Sequence, residues 1–416
     1  MTILLYGYYN QSNFGDELFD LFFSKYFDKK QISYIKLNPS ELTLNYKQLD
    51  KVKLIFLGGG EIINDYFMIP LFEYIIHHNL YNIPIYGASI GYSVNLPVKY
   101  LNFFDKCIFR NNLQIVNNQN YFFDNDIIFG LNNIINIKEI ADSIVIEPNT
   151  IGFYMIDKIT IADKMNIINF IQNINPIYKI RFVVFDKKVD QNLINQIITK
   201  SNISSTQYEI IIPTDPIDTI KWILRSEKHF CMRFHAHIIC YMFKRQFISY
   251  PLTNKTVEFN STHNIKFNKN PDELIKLLNK SDNIKFDKLN FNINLLDQIF
   301  ESIDLTNPTN PTNPTNPINP TNPIDKRNTL WFIITEIYIG FVELINLINI
   351  NSTIPDSIVN NIINNIIDQI ELNILDDIDT PFRYGLIEKI NDIIMKKQNN
   401  KPYDIRYNFI KMITDL

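Results

Sequence analysis

Cysteine is nearly absent from this 416-residue chain: Cys107, Cys231 and Cys240 are widely spaced and form no Cys-x-x-Cys pair. An odd, scattered set excludes a disulfide framework and a clustered zinc site, and fits a reducing compartment. Charge of one sign is not in excess either. Forty Lys and Arg against 44 Asp and Glu leave a net −4, which argues against a nucleic-acid coat or a polybasic membrane binder. Long uninterrupted apolar runs are missing. The most apolar later stretch, Trp331 to Asn349, is broken by Glu336 and Glu343, so it reads as an amphipathic or buried helix and not as a stable membrane insertion. The start, Met1-Thr-Ile-Leu-Leu-Tyr-Gly7, lacks the charged and long apolar regions of a signal peptide. These absences lead us to expect a cytoplasmic protein.

Glycine is scarce as well, 11 residues in all against a usual share of ~7%. Where it does occur is informative. Seven of the eleven lie before residue 92: Gly7, Gly15, Gly58, Gly59, Gly60, Gly87 and Gly91. They follow three apolar, β-rich runs, Thr2–Tyr6, Val52–Leu57 and Pro84–Gly87, and in a parallel sheet they would share its carboxyl edge, where such sheets bind ligands. Single glycines there suit ordinary strand-to-helix turns. The Gly58-Gly59-Gly60 triplet suggests close approach of backbone to a ligand. The first turn, Gly7 to Glu17, has neither the Gly-Lys-Ser/Thr of a P-loop nor a GxGxxG pattern. Asp16 and Glu17 fall where a helix prefers acidic residues, so a capping role and a catalytic role both stay open for Asp16.

With 46% hydrophobic and 20% charged residues, the chain can bury sizeable cores, and its length suits two or three domains. Further β-rich runs are Ile32–Lys36, Lys106–Arg110, Ile151–Met155, Ile180–Asp186, Glu209–Ile212, His229–Arg233 and Phe247–Tyr250. They alternate with helical patterns, which predicts parallel sheets covered by helices on both faces. The expected class is α/β, with two Rossmann-like doubly wound domains at residues 1–148 and 149–300, plus a C-terminal helical segment. Residues 301–324 contain TNPTNPTNPTNPINPTNP (306–323). A proline every third residue removes backbone donors and favours extended chain, so this is a linker that could span ~55 Å. Residues 325–416 have helical periodicity broken by prolines and no chemistry of their own, and suit a small helical domain or appendage that offers a surface to a protein partner.

The run Lys228 to Met242 changes period midway. A short strand ends near Arg233 and a helix begins near His235, which places an always-charged fork and a titratable imidazole beside a helix N-terminus, a favourable anion site. His237 and His229 suit structural roles. No histidine falls in a metal-ligand pattern, so no metal and no cofactor is expected.

In order along the chain, these elements resemble the polysaccharide pyruvyl transferase family. Gly7-Tyr8-Tyr9, Asn13 and Gly15-Asp16-Glu17 are similar to its first motif, with Asn10 in place of a usual glycine. Gly58-Gly59-Gly60 with Asp65 is similar to its GGG-x-x-x-x-D, although Glu61 stands where a small residue is common. Gly87-Ala-Ser-Ile-Gly91 precedes Tyr92 in place of a proline, Arg110-Asn111 stands for an Arg-Asp, and Arg233-Phe-His235-Ala236 with Lys255 is similar to its R-x-H-A motif and downstream lysine. The resemblance spans about residues 1–260. It implies a glycosyltransferase-B-like fold and transfer of pyruvate from phosphoenolpyruvate to a saccharide acceptor as a cyclic ketal, in glycan biosynthesis.

On that basis the expected catalytic residues are His235 (general acid), Asp65 and Asp16 (orienting or deprotonating sugar hydroxyls). The expected binding residues are Arg233, Lys255, Gly7, Asn13, Gly15, Gly58, Gly59, Gly60, Gly91 and Arg110. A nucleotide-sugar glycosyltransferase on the same architecture is an alternative, although no ribose- or diphosphate-binding pattern stands out in the second half. A non-catalytic scaffold that presents the C-terminal helices is another.

Overall fold

The computed structural model describes residues 2–301 apart from 40–48, 79, 81–82, 92–97, 102, 111–119 and 281–283. The Thr-Asn-Pro repeat, the helical segment beyond it, Tyr92 and Asn111 lie outside the described residues.

Apolar runs without alternation are what strands buried on both faces require. Ile3–Tyr6, Leu54–Leu57 and Ile85–Tyr86 are all buried. They belong to β1 (Thr2–Tyr6), β3 (Val52–Gly60) and β4 (Ile85–Ile90). With β2 (Ser33–Leu37), β5 (Lys106–Phe109) and β6 (Tyr121–Phe123) they form a six-stranded sheet in the order β2-β1-β3-β4-β5-β6. The second sheet holds β7 (Glu147–Tyr154), β8 (Lys179–Val183), β9 (Tyr208–Ile211), β10 (Ser226–Cys231) and β11 (Phe247–Ser249), in the order β11-β10-β7-β8-β9. Every pairing in both sheets is parallel. The protein is therefore α/β, with two doubly wound parallel sheets. β6 is an addition to the sequence reading. Its three residues are too few to show a period, and pairing with β5 makes them a strand.

The strand order reverses between β1 and β3 in the first sheet and between β7 and β10 in the second. Such reversals open the crevices in which doubly wound sheets take ligands. The helix α1 (Phe14–Lys30) joins the two halves. Phe14 N–H donates to the Phe185 carbonyl at 2.8 Å, and Asn13 forms a β-bridge with Asp186. Phe19, Phe22, Phe23, Tyr26 and Phe27 along α1 are buried in an apolar cluster that continues through Phe185 to Ile238 and Phe259. Each such side chain contributes roughly 1.5–3 kcal/mol by burial, so α1 anchors both sheets at once.

Residues 284–301, which the sequence groups with the second half, return to the first. Tyr26 donates to Asp297 at 2.7 Å, and Phe300 packs on Phe27 and Phe56. An amphipathic segment shows its apolar face in sequence but not which half that face covers.

Candidate active site

The turn after β1 is shaped by Tyr9. Its ring lies so close over Gly7 that a Cβ there would stand 2.5 Å from Tyr9 Cζ. Its hydroxyl donates to the Gly58 carbonyl at 2.8 Å. Asn10 (φ 58°) and Ser12 (φ 62°) both adopt the left-handed conformation. Asparagine is among the non-glycine residues that tolerate it best, which explains how Asn10 replaces a glycine. Asn13 then caps α1, its Oδ1 accepting from Gly15 N–H at 3.1 Å. The acidic pair divides its labour. Glu17 turns back to accept from Ser12 N–H at 3.2 Å, whereas Asp16 lines a cleft between the two sheets.

The glycine triplet divides in the same way. A Cβ on Gly58 or Gly59 would collide with Tyr9, Phe23 or Phe19, and Gly59 has φ +77°. Two of the three glycines are thus spent on packing. Gly60, with φ +90° and only ordinary contacts to Asp16, Ile62 and Phe19 around the place of a Cβ, reaches the cleft, followed by Glu61. Gly91 is covered by the Arg110 guanidinium, which would lie 2.3 Å from a Cβ there. Gly7, Gly58, Gly59 and Gly91, expected to bind substrate, are crowded by wall side chains and are not among the residues that line the cleft. Asp65 also stands elsewhere, in the first turn of α2 (Asp65–His77), accepting from Tyr100 Oη at 2.8 Å. It is not among the residues that line the cleft.

From the first sheet, Arg110 enters at the end of β5. Its Nη1 bonds Asp126 at 2.9 Å and its Nη2 lies 3.9 Å from Glu61. Its Nε and Nη2 are buried without a hydrogen-bond partner. From the second sheet, Arg233 follows β10. Its Nε donates to the Met155 carbonyl at 2.7 Å and its Nη2 to the buried Asp190. Lys255, beyond β11, lies 3.6 Å from Glu61 and 5.7 Å from the Phe234 ring. His235 sits edge-on to Phe19, with a buried and unpartnered Nε2. Gly15 makes room for it, since a Cβ there would stand 2.2 Å from His235 Nδ1. His237 is structural, satisfied by the Arg233 carbonyl and Ser249 Oγ at 2.8 Å each. His229 likewise pairs through Nδ1 with Tyr154 Oη.

Asn13, Gly15, Asp16, Gly60, Arg110, Arg233, His235 and Lys255, drawn from five strand ends, thus meet around one open cleft. Glu61 and Phe234 complete it and were not expected as site residues. Their adjacency to the triplet and to the Arg233/His235 pair was the available signal. Phe19, Phe185, Met232 and Ile156 also line it, brought there by tertiary packing alone.

Burial raises the Asp16 carboxyl to about 7 despite the opposing pull of Lys255, Arg110 and Arg233. Burial, then the charges of Arg110, Lys255 and Arg233, push His235 well below the ordinary imidazole value. Burial and Arg110 lower the Lys255 ammonium, and Glu61 and Asp16 partly restore it. The cleft is therefore short of negative charge, with a neutral imidazole and a carboxyl whose pKa lies near neutrality. No group of three or more His, Cys, Asp or Glu that could hold a metal occurs among the described residues.

The model of the polysaccharide pyruvyl transferase family matches residues 13–254, more than half of the chain. The chain belongs to this family. The family match begins at the α1 cap and ends one residue before Lys255, so it takes in most of the cleft. Among curated proteins, none matches the chain in sequence. Among solved structures, UDP-GlcNAc 2-epimerase from Methanocaldococcus jannaschii, in complex with UDP-GlcNAc and UDP, is 12% identical with a TM-score of 0.50, and the match covers 72% of this chain and 98% of that one. MurG from Acinetobacter baumannii is 10% identical, with a TM-score of 0.40 and coverages of 67% and 90%. At such identities the likeness concerns the fold. This polysaccharide pyruvyl transferase family member has the glycosyltransferase-B-like architecture of two facing parallel sheets. Among the described residues no helix is long and apolar enough to cross a membrane.

Proposed function

We propose that the cleft binds phosphoenolpyruvate and transfers its pyruvyl group to a sugar as a cyclic ketal. The observation that carries this reading is the convergence of Arg110, Arg233 and Lys255 on one cleft beside Asp16 and His235, with two Arg110 nitrogens buried and unpartnered. Unsatisfied buried donors are costly, and a small polyanion with a phosphate and a carboxylate would satisfy them by charge-assisted hydrogen bonds. Glu61 must give up its contacts with Lys255 and Arg110 as the anion enters.

The chemistry follows from the charges. The methylene carbon of the donor takes a proton, a first sugar hydroxyl adds to C2, and a second hydroxyl then displaces inorganic phosphate to close the ring. The sequence assigns the acid to His235. In the cleft, however, burial and three cations hold that ring neutral, whereas burial raises the Asp16 carboxyl to about 7. An acid is most effective when its pKa lies near the working pH, so Asp16 is the proton donor in this reading. His235 offers its unpartnered Nε2 to the donor or the entering hydroxyl. The arriving polyanion offsets the neighbouring cations, which raises both groups and keeps Asp16 protonated through binding.

Incubation with phosphoenolpyruvate and a panel of glycans, read by phosphate release and by the mass of the sugar product, tests the reading. Pyruvylated sugar formed with equimolar phosphate is the expected result. Turnover of nucleotide-sugars with none of phosphoenolpyruvate would overturn it.

A further inference from the structure

One oxygen of Glu61 faces two of the cations in the cleft. Its Oε1 lies 3.6 Å from Lys255 Nζ and 3.9 Å from Arg110 Nη2, so it bridges a lysine of the second half and an arginine of the first. Both cations also lie over the Phe234 ring, Arg110 at 5.0 Å and Lys255 at 5.7 Å. Two like charges are thus held side by side, and the Glu61 oxygen is the counter-charge between them. It does not satisfy them. Both distances exceed a hydrogen bond, and Arg110 keeps its Nε and Nη2 buried and unpartnered. The partners are also unequally enclosed: the Arg110 side chain is 3% exposed and that of Glu61 37%.

The backbone that carries Glu61 is pinned, whereas its side chain is not. Gly91 N–H donates to the Gly60 carbonyl and Asn64 Nδ2 to the Glu61 carbonyl, each at 2.8 Å. The carboxylate can therefore leave by rotating towards solvent, with no change in the turn. The place it vacates is the one that a ligand oxygen bridging Arg110 and Lys255 would take. A tethered group competes at high effective concentration, and a site that is open only part of the time binds every ligand more weakly. We infer that Glu61 is a tethered competitor for the anion site. It weakens the binding of both phosphoenolpyruvate and inorganic phosphate, and so limits inhibition by the phosphate that each turnover leaves behind. The inference rests on the donor reading of the cleft.

Calorimetric titration of the full chain with inorganic phosphate and with phosphoenolpyruvate, in wild type, Glu61→Gln and Glu61→Asp, tests it. Glutamine keeps the shape and loses the charge. Aspartate keeps the charge, but one methylene fewer draws its oxygens back from both cations. E61Q should bind both anions about fivefold more tightly or better, the gain expected from removing two partly exposed ion contacts, and E61D should show most of that gain. Affinities in E61Q that equal or fall below those of wild type overturn the competitor. So does an E61D that matches wild type while E61Q binds more tightly, because the gain then comes from the net charge of the cleft and not from occupancy. Either result leaves the donor reading intact if phosphoenolpyruvate binds. Phosphate binding that tightens as stated, with no phosphoenolpyruvate binding to any of the three proteins, overturns the donor reading and leaves the competitor standing. Failure of all three to bind either anion overturns both.

Discussion

Asp16 and Gly15 are consecutive residues whose roles separate only in space. The Asp16 carboxyl, at about 7, lies above its ordinary value of 3.8. The folded chain thus holds a proton that the unfolded chain has released between those limits. The stability linked to this proton is complete below about pH 4 and is lost as pH rises through 7. Asp16→Asn, neutral throughout, should therefore be more stable than the wild type at pH 8 by about 2–4 kcal/mol, with the gain shrinking towards pH 4. Urea denaturation at several pH values checks it, and an equal gain at every pH would count against a buried, ionising Asp16. In the wild type, kcat/KM should fall above about pH 7 as the same proton is lost. Gly15 has helical backbone, so Gly15→Ala by itself favours α1 by up to about 1 kcal/mol. The new methyl group occupies the place of His235. Turnover should drop at least tenfold, by the estimate of about 1.4 kcal/mol per decade, while circular dichroism and Tm stay near wild type.

At the scale of elements, the cleft depends on how the turn after β10 is held. Asp190, at the start of the helix Asp190–Ser201, accepts from the Phe185 and Asp186 N–H groups at 3.0 and 2.8 Å through Oδ2, and from Arg233 through Oδ1. One buried carboxylate thus links the end of β8, a helix start and Arg233. Breaking such a buried pair costs about 3–5 kcal/mol. Asp190→Ala should lose that much stability and raise the donor KM. Asp190→Asn can keep part of the hydrogen bonding but not the charge, so it should recover much of the Tm while the donor KM stays elevated about tenfold with kcat less changed. A KM that recovers together with the Tm would reduce Asp190 to a folding role.

At the scale of the molecule, α1 and residues 284–301 hold the first half to the second. Leu296, Ile299 and Phe300 are buried and Asp297 pairs with Tyr26 and Lys30. Their burial contributes roughly 5 kcal/mol or more, a large share of the 5–15 kcal/mol typical of a folded domain. A chain ending at residue 283 should therefore fail to fold, whereas one ending at residue 305 should fold and bind phosphoenolpyruvate with wild-type affinity. Loss of donor binding in the longer truncation would place part of the site in the C-terminal segment.

Much of this was legible in the sequence. Alternation of apolar runs with helical periods revealed ten of the eleven strands among the described residues, because burial of a parallel strand on both faces leaves a continuous apolar signature. The order of short motifs led to the family, and the change of period at Arg233/His235 located the second wall of the cleft. Other features depend on distances between residues remote in the chain. Gly58 and Gly59 read like Gly60 in sequence, yet only contact with Tyr9 and Phe19 shows that they serve packing. Asp65 and Asp16 both stand in first turns of helices, and only the tertiary structure sets one against Tyr100 and the other in the cleft. Residue types and local periods are one-dimensional properties, so sequence determined the architecture and the kinds of group available. Which carboxylate is buried among three cations, and which glycine faces a ligand, are sums over neighbours that exist only once the two sheets face each other.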